Sequence, residues 1–395
     1  MTQIMRGFPP VKDNRVTLAN WRSPGFNSWA FHHVREIVPS ADIPNDPDRV
    51  RNLPTAAFDA DAVEVVHGGE ARSFERYLSE THTDGIAIIH RGRIVLERHF
   101  NGMTEDTPHI LMSVSKSMLG LLAGVLVGKG ILDVERLATD IVPELQSTAY
   151  AGITIRQLLD MRAGVAFDED YMATSGPIVN YRKATNWNPL EPGETPSDLR
   201  SFYENLMASD GPHGGRFHYI SPNTDLLGWI IERAADRRFA DLMSELIWRP
   251  MGASRSAYIT VDRLGAPRCA GGMCTTVRDL ALVGQLILDG GARGGNQIIP
   301  ESWIDDIFQN GDPEAWNQGP FTGYFPGRSM HYRSKCYVYR GDEPMMFGLG
   351  IHGQNLFVDP KRELVIAKFS SQPAPLDGEL TLLTMAGVEA IRQAV

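Results

Sequence analysis

Between Met118 and Val127 almost every position is apolar, with Gly120 and Gly124 breaking the run. A helix with no polar face has nothing to offer water and packs inside the protein. The run starts behind Ser113 and fades at Lys129, and Gly130 follows, a residue free to take the left-handed turn that closes helices. The pattern predicts a buried helix over 113–129. Upstream, 73–81 reads as a helix end, and two β-rich runs within 87–100 surround Arg91-Gly92-Arg93, which predicts a hairpin. From 132 to about 270 the signals are mainly helical, with long loops. Short helices are expected over 154–161 and 224–235, and another over 239–248, stopped by Pro250. A helix over 276–288 opens behind Thr275, a good cap, and closes at Gly290. Strand signals then return: 348–358 and 363–370 flank Asp359-Pro360-Lys361 as a second hairpin, and a last helix covers 379–394. The segment 23–57, rich in Pro, Asn and Asp, reads as an extended wrapper anchored by Trp29 and Phe31.

Strands at both ends with helices between them imply an α/β (α+β) fold. An antiparallel sheet is built from both termini and flanked by helices, with a mainly helical lobe inserted. The expected division is a sheet lobe from 1–130 and 271–395 and a helical lobe from 131–270, with the site in the cleft between them. A chain of 395 residues has the length for this. Its net charge of -10 argues against nucleic acid or an anionic membrane as partner, although an acidic total leaves room for a local basic patch. Residues 1–18 carry no apolar run of the secretory kind, and 118–127 is too short to span a bilayer, so the expectation is a soluble cytoplasmic protein, monomer or homodimer. Cys269, Cys274 and Cys336 are odd in number and lack metal-ligand spacing; they read as buried thiols, and neither metal nor organic cofactor is expected.

Three short segments carry candidate chemistry. In Ser113-Val114-Ser115-Lys116 the serine and lysine are three apart and share a helix face. Serine needs a partner to take its proton, and burial of this helix lowers the lysine pKa toward that of a usable base. Ser-x-x-Lys alone is a weak signal; its place at the head of the most apolar helix, where a charge needs a reason, strengthens it. A capping serine with a snorkelling lysine is the plainer alternative. Tyr219, in Tyr219-Ile220-Ser221-Pro222-Asn223, stands before a helix and can project its phenol into a cleft, where a lysine ammonium would pull its pKa down for proton shuttling. It reads equally as a core aromatic, and Ser221 as a turn residue. In Phe347-Gly348-Leu349-Gly350-Ile351-His352-Gly353, glycines inside a strand imply close approach to the backbone, for instance by an acyl group, with Ile351 N–H and Ser113 N–H as an oxyanion hole; a ligand-free β-bulge explains them too. His352 suits a Ser-His-Asp scheme, but no Gly-x-Ser-x-Gly elbow is present.

Taken in this order, the segments resemble the serine β-lactamase and penicillin-binding protein superfamily. Further stretches carry the likeness, including Ile153-Thr154-Ile155-Arg156-Gln157-Leu158-Leu159-Asp160-Met161, Ile247-Trp248-Arg249-Pro250-Met251-Gly252 and Gly271-Gly272-Met273-Cys274-Thr275-Thr276. Within it, Asn27-Ser28-Trp29-Ala30-Phe31, Glu169-Asp170-Tyr171 and Gly350-Ile351-His352-Gly353-Gln354-Asn355-Leu356 are most similar to the class C and esterase branch that holds the 6-aminohexanoate-dimer (nylon-oligomer) hydrolases. The resemblance implies a β-lactamase-like fold and a serine hydrolase of small esters or amides working through an acyl-enzyme. Ser113 matches the acylated serine, Lys116 its lysine, Tyr219 the proton-shuttling tyrosine and Ile351 the oxyanion donor. Tyr171 matches a loop tyrosine that closes over substrate, with Ser221, Gly350 and His352 as further substrate-binding candidates. Ser221 replaces the usual asparagine, and Gly348-Leu349-Gly350 stands where β-lactamases have Lys-Thr-Gly. Arg182 falls where nylon-dimer hydrolases hold an acid, and Ala270 replaces a polar residue nearby. These departures turn expectation toward an ester or anionic amide. The alternatives are a β-lactamase or D-Ala-D-Ala carboxypeptidase, and a non-catalytic binding module on the same fold.

Overall fold

The computed structural model describes residues 3–395. The predicted first hairpin forms because Arg91 and Gly92 both take positive φ, 49° and 70°, matching the twist of the strands they join. The strands that frame the site are β1 (Ser40–Ile43), β2 (Thr83–His90), β3 (Arg93–His99), β4 (His109–Ile110), β5 (Ala257–Thr260), β6 (Met273–Thr275), β7 (Met330–Arg333), β8 (Cys336–Tyr339), β9 (Met345–Gly350), β10 (Gln354–Asp359) and β11 (Leu364–Ser370). Seven make one antiparallel sheet in the order β7-β8-β9-β10-β11-β2-β3. The β11–β2 pairing, Val365 opposite Ile89 through Lys368 opposite Ile86, joins the late strands to the early ones. A smaller antiparallel sheet, β1-β5-β6-β4, leads straight into Ser113, since β4 ends three residues before it.

The apolar helix is α1 (Val114–Gly128), with every residue from Val114 to Leu126 buried. Its glycines repeat every four residues and form one bare stripe. Gly120 sits against the Ser334 carbonyl, Gly124 against Trp303 and Gly128 against Pro300, and a methyl at any of the three would collide. Trp303 Nε1 also donates to the Gly120 carbonyl at 3.1 Å. Helix α2 (Pro222–Ala235) carries Asn223 and Asp225 inward, and α3 (Val277–Leu288) lies on the main sheet with Gly284 against Val365. The short helix Ile155–Leu159 opens with the Thr154/Gln157 capping box. Helix α4 (Gly378–Ala394) completes the chain. No helix of the described residues is long and apolar enough to cross a membrane.

Four expectations change. Pro250 does not stop its helix. Phe239–Met243 widens into a π-helical stretch at Ser244–Trp248 and passes through Pro250 as Arg249–Met251, ending only at Gly252 (φ 78°). The wider turn alters the hydrogen-bond register that a proline would otherwise break. The run 348–358 is two strands, β9 and β10, folded back at Ile351–Gly353, where His352 and Gly353 take φ of 61° and 90°. The cap of α3 is Thr276, whose side chain accepts from Asp279 N at 3.1 Å; Thr275 belongs to β6. The wrapper 23–57 is partly folded, with helix Asn27–Ala30 and β1, and its fully buried ring is Phe31 while Trp29 stays half-exposed. The three thiols are free and buried.

Candidate active site

Met112, immediately before Ser113, is held at φ 43°, a conformation that costs a non-glycine residue about 1–3 kcal/mol and persists only where surrounding packing enforces it. It turns the chain sharply from β4 into α1. Ser113 is half-buried, while Lys116, one turn on, is only 1 % exposed. Lys116 Nζ lies 2.8 Å from Ser113 Oγ, 3.1 Å from Ser221 Oγ and 2.7 Å from the Ala270 carbonyl. Burial pulls its pKa down to about 7, against the opposing pull of Glu169 and Asp225.

The proton inventory around Nζ is restrictive. The Ala270 carbonyl can only accept. Ser221 Oγ gives its own proton to Glu169, so it too accepts from Lys116. With two N–H bonds committed, the third position of a neutral amine is a lone pair, and the group there is the Ser113 hydroxyl. Both supports are fixed from behind. Glu169 also accepts from Ser221 N at 2.6 Å and from the Tyr171 hydroxyl at 3.0 Å. Asp225 on α2 accepts from Ala270 N at 2.7 Å and is ion-paired with Arg268, which also reaches the Tyr181 hydroxyl.

Tyr219 is buried, with its hydroxyl hydrogen-bonded to Ser113 and Tyr337 and its ring centroid 4.9 Å from Lys116 Nζ. The expected fall in its pKa does not occur. Burial drives it well up, the Glu169 charge adds to this, and the hydrogen bonds with Ser113 and Tyr337 only partly oppose them. A lysine held near neutrality supplies too little positive charge to reverse the order.

The glycines of β9 have a different cause from the one expected. A methyl on Gly348 would lie 3.0 Å from Ser117 Oγ, and one on Gly350 would lie 2.7 Å from the Leu111 carbonyl and 3.0 Å from Ser113 N. What approaches the strand is the first turn of α1. Ile351 follows directly and lines the space on both sides of Ser113. His352 is not brought in: it is 3 % exposed, its ring packs 5.1 Å from Phe31, and Nδ1 donates to the Gln372 carbonyl at 2.7 Å. Burial lowers its pKa to about 4.

Two cavities meet at Ser113, Tyr171 and Ile351. One, of about 100 Å³, is mainly apolar, walled by Tyr219, Phe321, Leu349, Pro375, Leu376 and Met385, with Gly350 at its inner edge. The other, of about 30 Å³, is lined by Ser221, Glu169, Trp187, Arg22, Arg182 and Arg268. Glu169, Asp225, Arg22 and Arg268 were not singled out from the sequence. Glu169 stands two residues before Tyr171, and nothing local in the sequence distinguishes it from a solvated loop acid.

Known proteins similar to this chain identify its family. The beta-lactamase family profile matches residues 71–386. The chain is 33% identical over 368 residues to a 6-aminohexanoate-dimer hydrolase of Paenarthrobacter ureafaciens, covering 93% of this chain and 91% of that one. It is 24% identical over 225 residues to Esterase EstB of Burkholderia gladioli, covering 53% and 56% of the two chains. A solved structure from Bacillus anthracis, provisionally described as a 6-aminohexanoate-dimer hydrolase, superposes with a TM-score of 0.88 at 28% identity over 98% of each chain.

Proposed function

The chain belongs to the beta-lactamase family and is a hydrolase of ester or amide bonds; we propose that it works through an acyl-enzyme on Ser113, with Lys116 as base and Tyr219 as proton donor. The observation that carries this reading is the set of three contacts at Lys116 Nζ: with the Ala270 carbonyl and Ser221 taking the two N–H bonds of the free amine, its lone pair falls to the Ser113 hydroxyl. An amine near pKa 7 is free base in a large fraction of molecules at neutral pH, as proton abstraction needs. Tyr219, pushed the other way, keeps its proton and has one to give.

Ser113 Oγ bonds to the carbonyl carbon of the substrate as its proton passes to Lys116. The backbone N–H groups of Ser113 and Ile351 hold the oxyanion. The bond to the leaving oxygen or nitrogen breaks, that atom takes the Tyr219 proton, and the Lys116 ammonium restores the phenol. Water then attacks the acyl-enzyme. Its proton goes to the lysine, the carbon–Oγ bond breaks, and Ser113 regains a proton, leaving acid and alcohol or amine. No metal or organic cofactor enters these steps.

The test is a panel of p-nitrophenyl acetate and butyrate, 6-aminohexanoate dimer and a chromogenic cephalosporin, with Ser113→Ala as control and intact-mass detection of a fluorophosphonate adduct. Ester turnover with a single adduct, both lost in Ser113→Ala, is the expected result. A cephalosporin cleaved faster than the esters would favour a β-lactamase. Failure to form any adduct would leave a binding module.

A further inference from the structure

The smaller cavity beside Ser113 is cationic in a chain of net charge -10. Arg22, Arg182 and Arg268 come from positions far apart in sequence and converge on a space of about 30 Å³. Arg268 is 6 % exposed and paired with Asp225. Arg22 and Arg182 have no ion-pair partner among the described residues. Arg22 donates to Asn188 Oδ1 and, at 3.4 Å, to the Trp187 carbonyl, while Arg182 donates to the Tyr171 and Ala173 carbonyls at 2.9 and 3.4 Å. The Nε atoms of Arg22 and Arg268 are buried and have no hydrogen-bond acceptor. The anions at hand are committed: Asp225 to Arg268 and the Ala270 amide, Glu169 to Ser221 and Tyr171. Burial, and after it repulsion from Arg182 and Arg268, lowers the Arg22 pKa to about 9.

Buried guanidinium groups short of acceptors are matched by a carboxylate, which offers two oxygens to planar donors. The two cavities also differ in which side of the reaction they serve. Tyr219 lines the apolar cavity and not the cationic one. On the mechanism above, Tyr219 protonates the leaving group, so the leaving group belongs on the apolar side and the acyl part on the cationic side. The space takes only about two or three water-sized groups, so the charge must lie close to the reacting carbonyl. We propose that the arginine-lined cavity binds a carboxylate at the far end of a short acyl group, making half-esters or half-amides of small dicarboxylic acids the preferred substrate class. This rests on the acyl-enzyme reading and on its assignment of Tyr219 to the leaving group.

The experiment compares monoethyl succinate with ethyl butyrate, the same acyl length with and without the charge, by pH-stat titration. In wild type kcat/KM should favour the half-ester by at least about tenfold, and the ratio should collapse toward one in Arg182→Gln and in Arg22→Gln. Because the ratio is taken on one preparation, partial misfolding cancels. Butyryl glycolate, which carries its carboxylate on the alcohol side, should show no such gain. Independently of turnover, succinate alone should raise the Tm of wild type and fail to do so in Arg182→Gln. A wild-type ratio at or below one, or a ratio unchanged in both variants, overturns the proposal. A larger gain with butyryl glycolate overturns the acyl-side assignment. If ethyl butyrate turnover still requires Ser113 in these outcomes, only the anion site falls; if turnover survives Ser113→Ala, the acyl-enzyme reading falls.

Discussion

Lys116 and Lys368 are both about 1 % exposed, and the amine of each is hydrogen-bonded to a serine hydroxyl, Ser113 at 2.8 Å and Ser370 at 2.5 Å. Burial pulls both pKa values to about 7. One pair is built on a helix at a spacing of three, the other on strand β11 at a spacing of two, each putting lysine and serine on one face. The resemblance ends at the serine. Ser370 is 0 % exposed, its N–H donates to Gln354 Oε1 at 3.1 Å, and next to it Ser371 Oγ donates to Asp84, which is paired with His109. Ser113 lies where two cavities join, with Tyr219 beside it and Lys116 oriented by Ser221 and Ala270. A depressed lysine therefore reports burial. Access for a carbonyl, and a proton donor on the far side, separate the candidate site from an internal polar cluster.

The largest expected contrast comes from the two serines. Ser113→Ala should lower kcat/KM for p-nitrophenyl butyrate by roughly 10⁴-fold or more, whereas Ser370→Ala should leave it within about twofold and cost about 1–3 kcal/mol in denaturant unfolding, since Lys368 loses its acceptor. Equal losses from both would break the comparison. The lysines come next. Lys116→Met should cost about 10²–10⁴-fold in turnover, and wild-type kcat/KM should climb as pH rises through about 7, where the amine loses its proton. In Lys368→Met the climb should persist unchanged. A smaller effect is expected at β9: Gly350→Ala places a methyl 3.0 Å from Ser113 N and should slow ester turnover by about tenfold, with the strand displaced from the oxyanion position.

The smallest effect is on stability, and it treats the two lysines alike. Each has a folded pKa of about 7 against 10.5 for a lysine free in water. Between those limits the unfolded chain holds more protons, so the lysines' contribution to stability rises with pH across that window and is flat below it. Lys116→Met and Lys368→Met should each flatten the slope of unfolding free energy over this range. A slope altered by only one of them would show that the two are buried to different degrees in solution.

Much of the frame is readable from local pattern. The α1 run, the Arg91-Gly92 turn and the short helix expected over 154–161 depend on neighbours within a few positions, and each forms close to where the pattern places it. Ser113 and Lys116 meet for the same reason, since helix geometry alone brings them together. Pro250 misleads because a π-helical turn, set by packing, absorbs it. The strand run at 348–358 misleads because both halves are buried and read alike, and only the left-handed residues at its centre fold it back. His352 falls outside the site because that fold turns its ring into the core.

By itself the sequence determined the helix that presents serine and lysine, the strands that run beside it and the tyrosine before α2. These are short-range consequences of side-chain periodicity and turn preference. The tertiary structure decided which lysine meets a cavity, that Glu169 orients Ser221, and that Arg22, Arg182 and Arg268 share one small space. Such meetings depend on how sheets and helices pack, and a charge or hydroxyl in a loop carries no mark of the group it will face once water has been excluded.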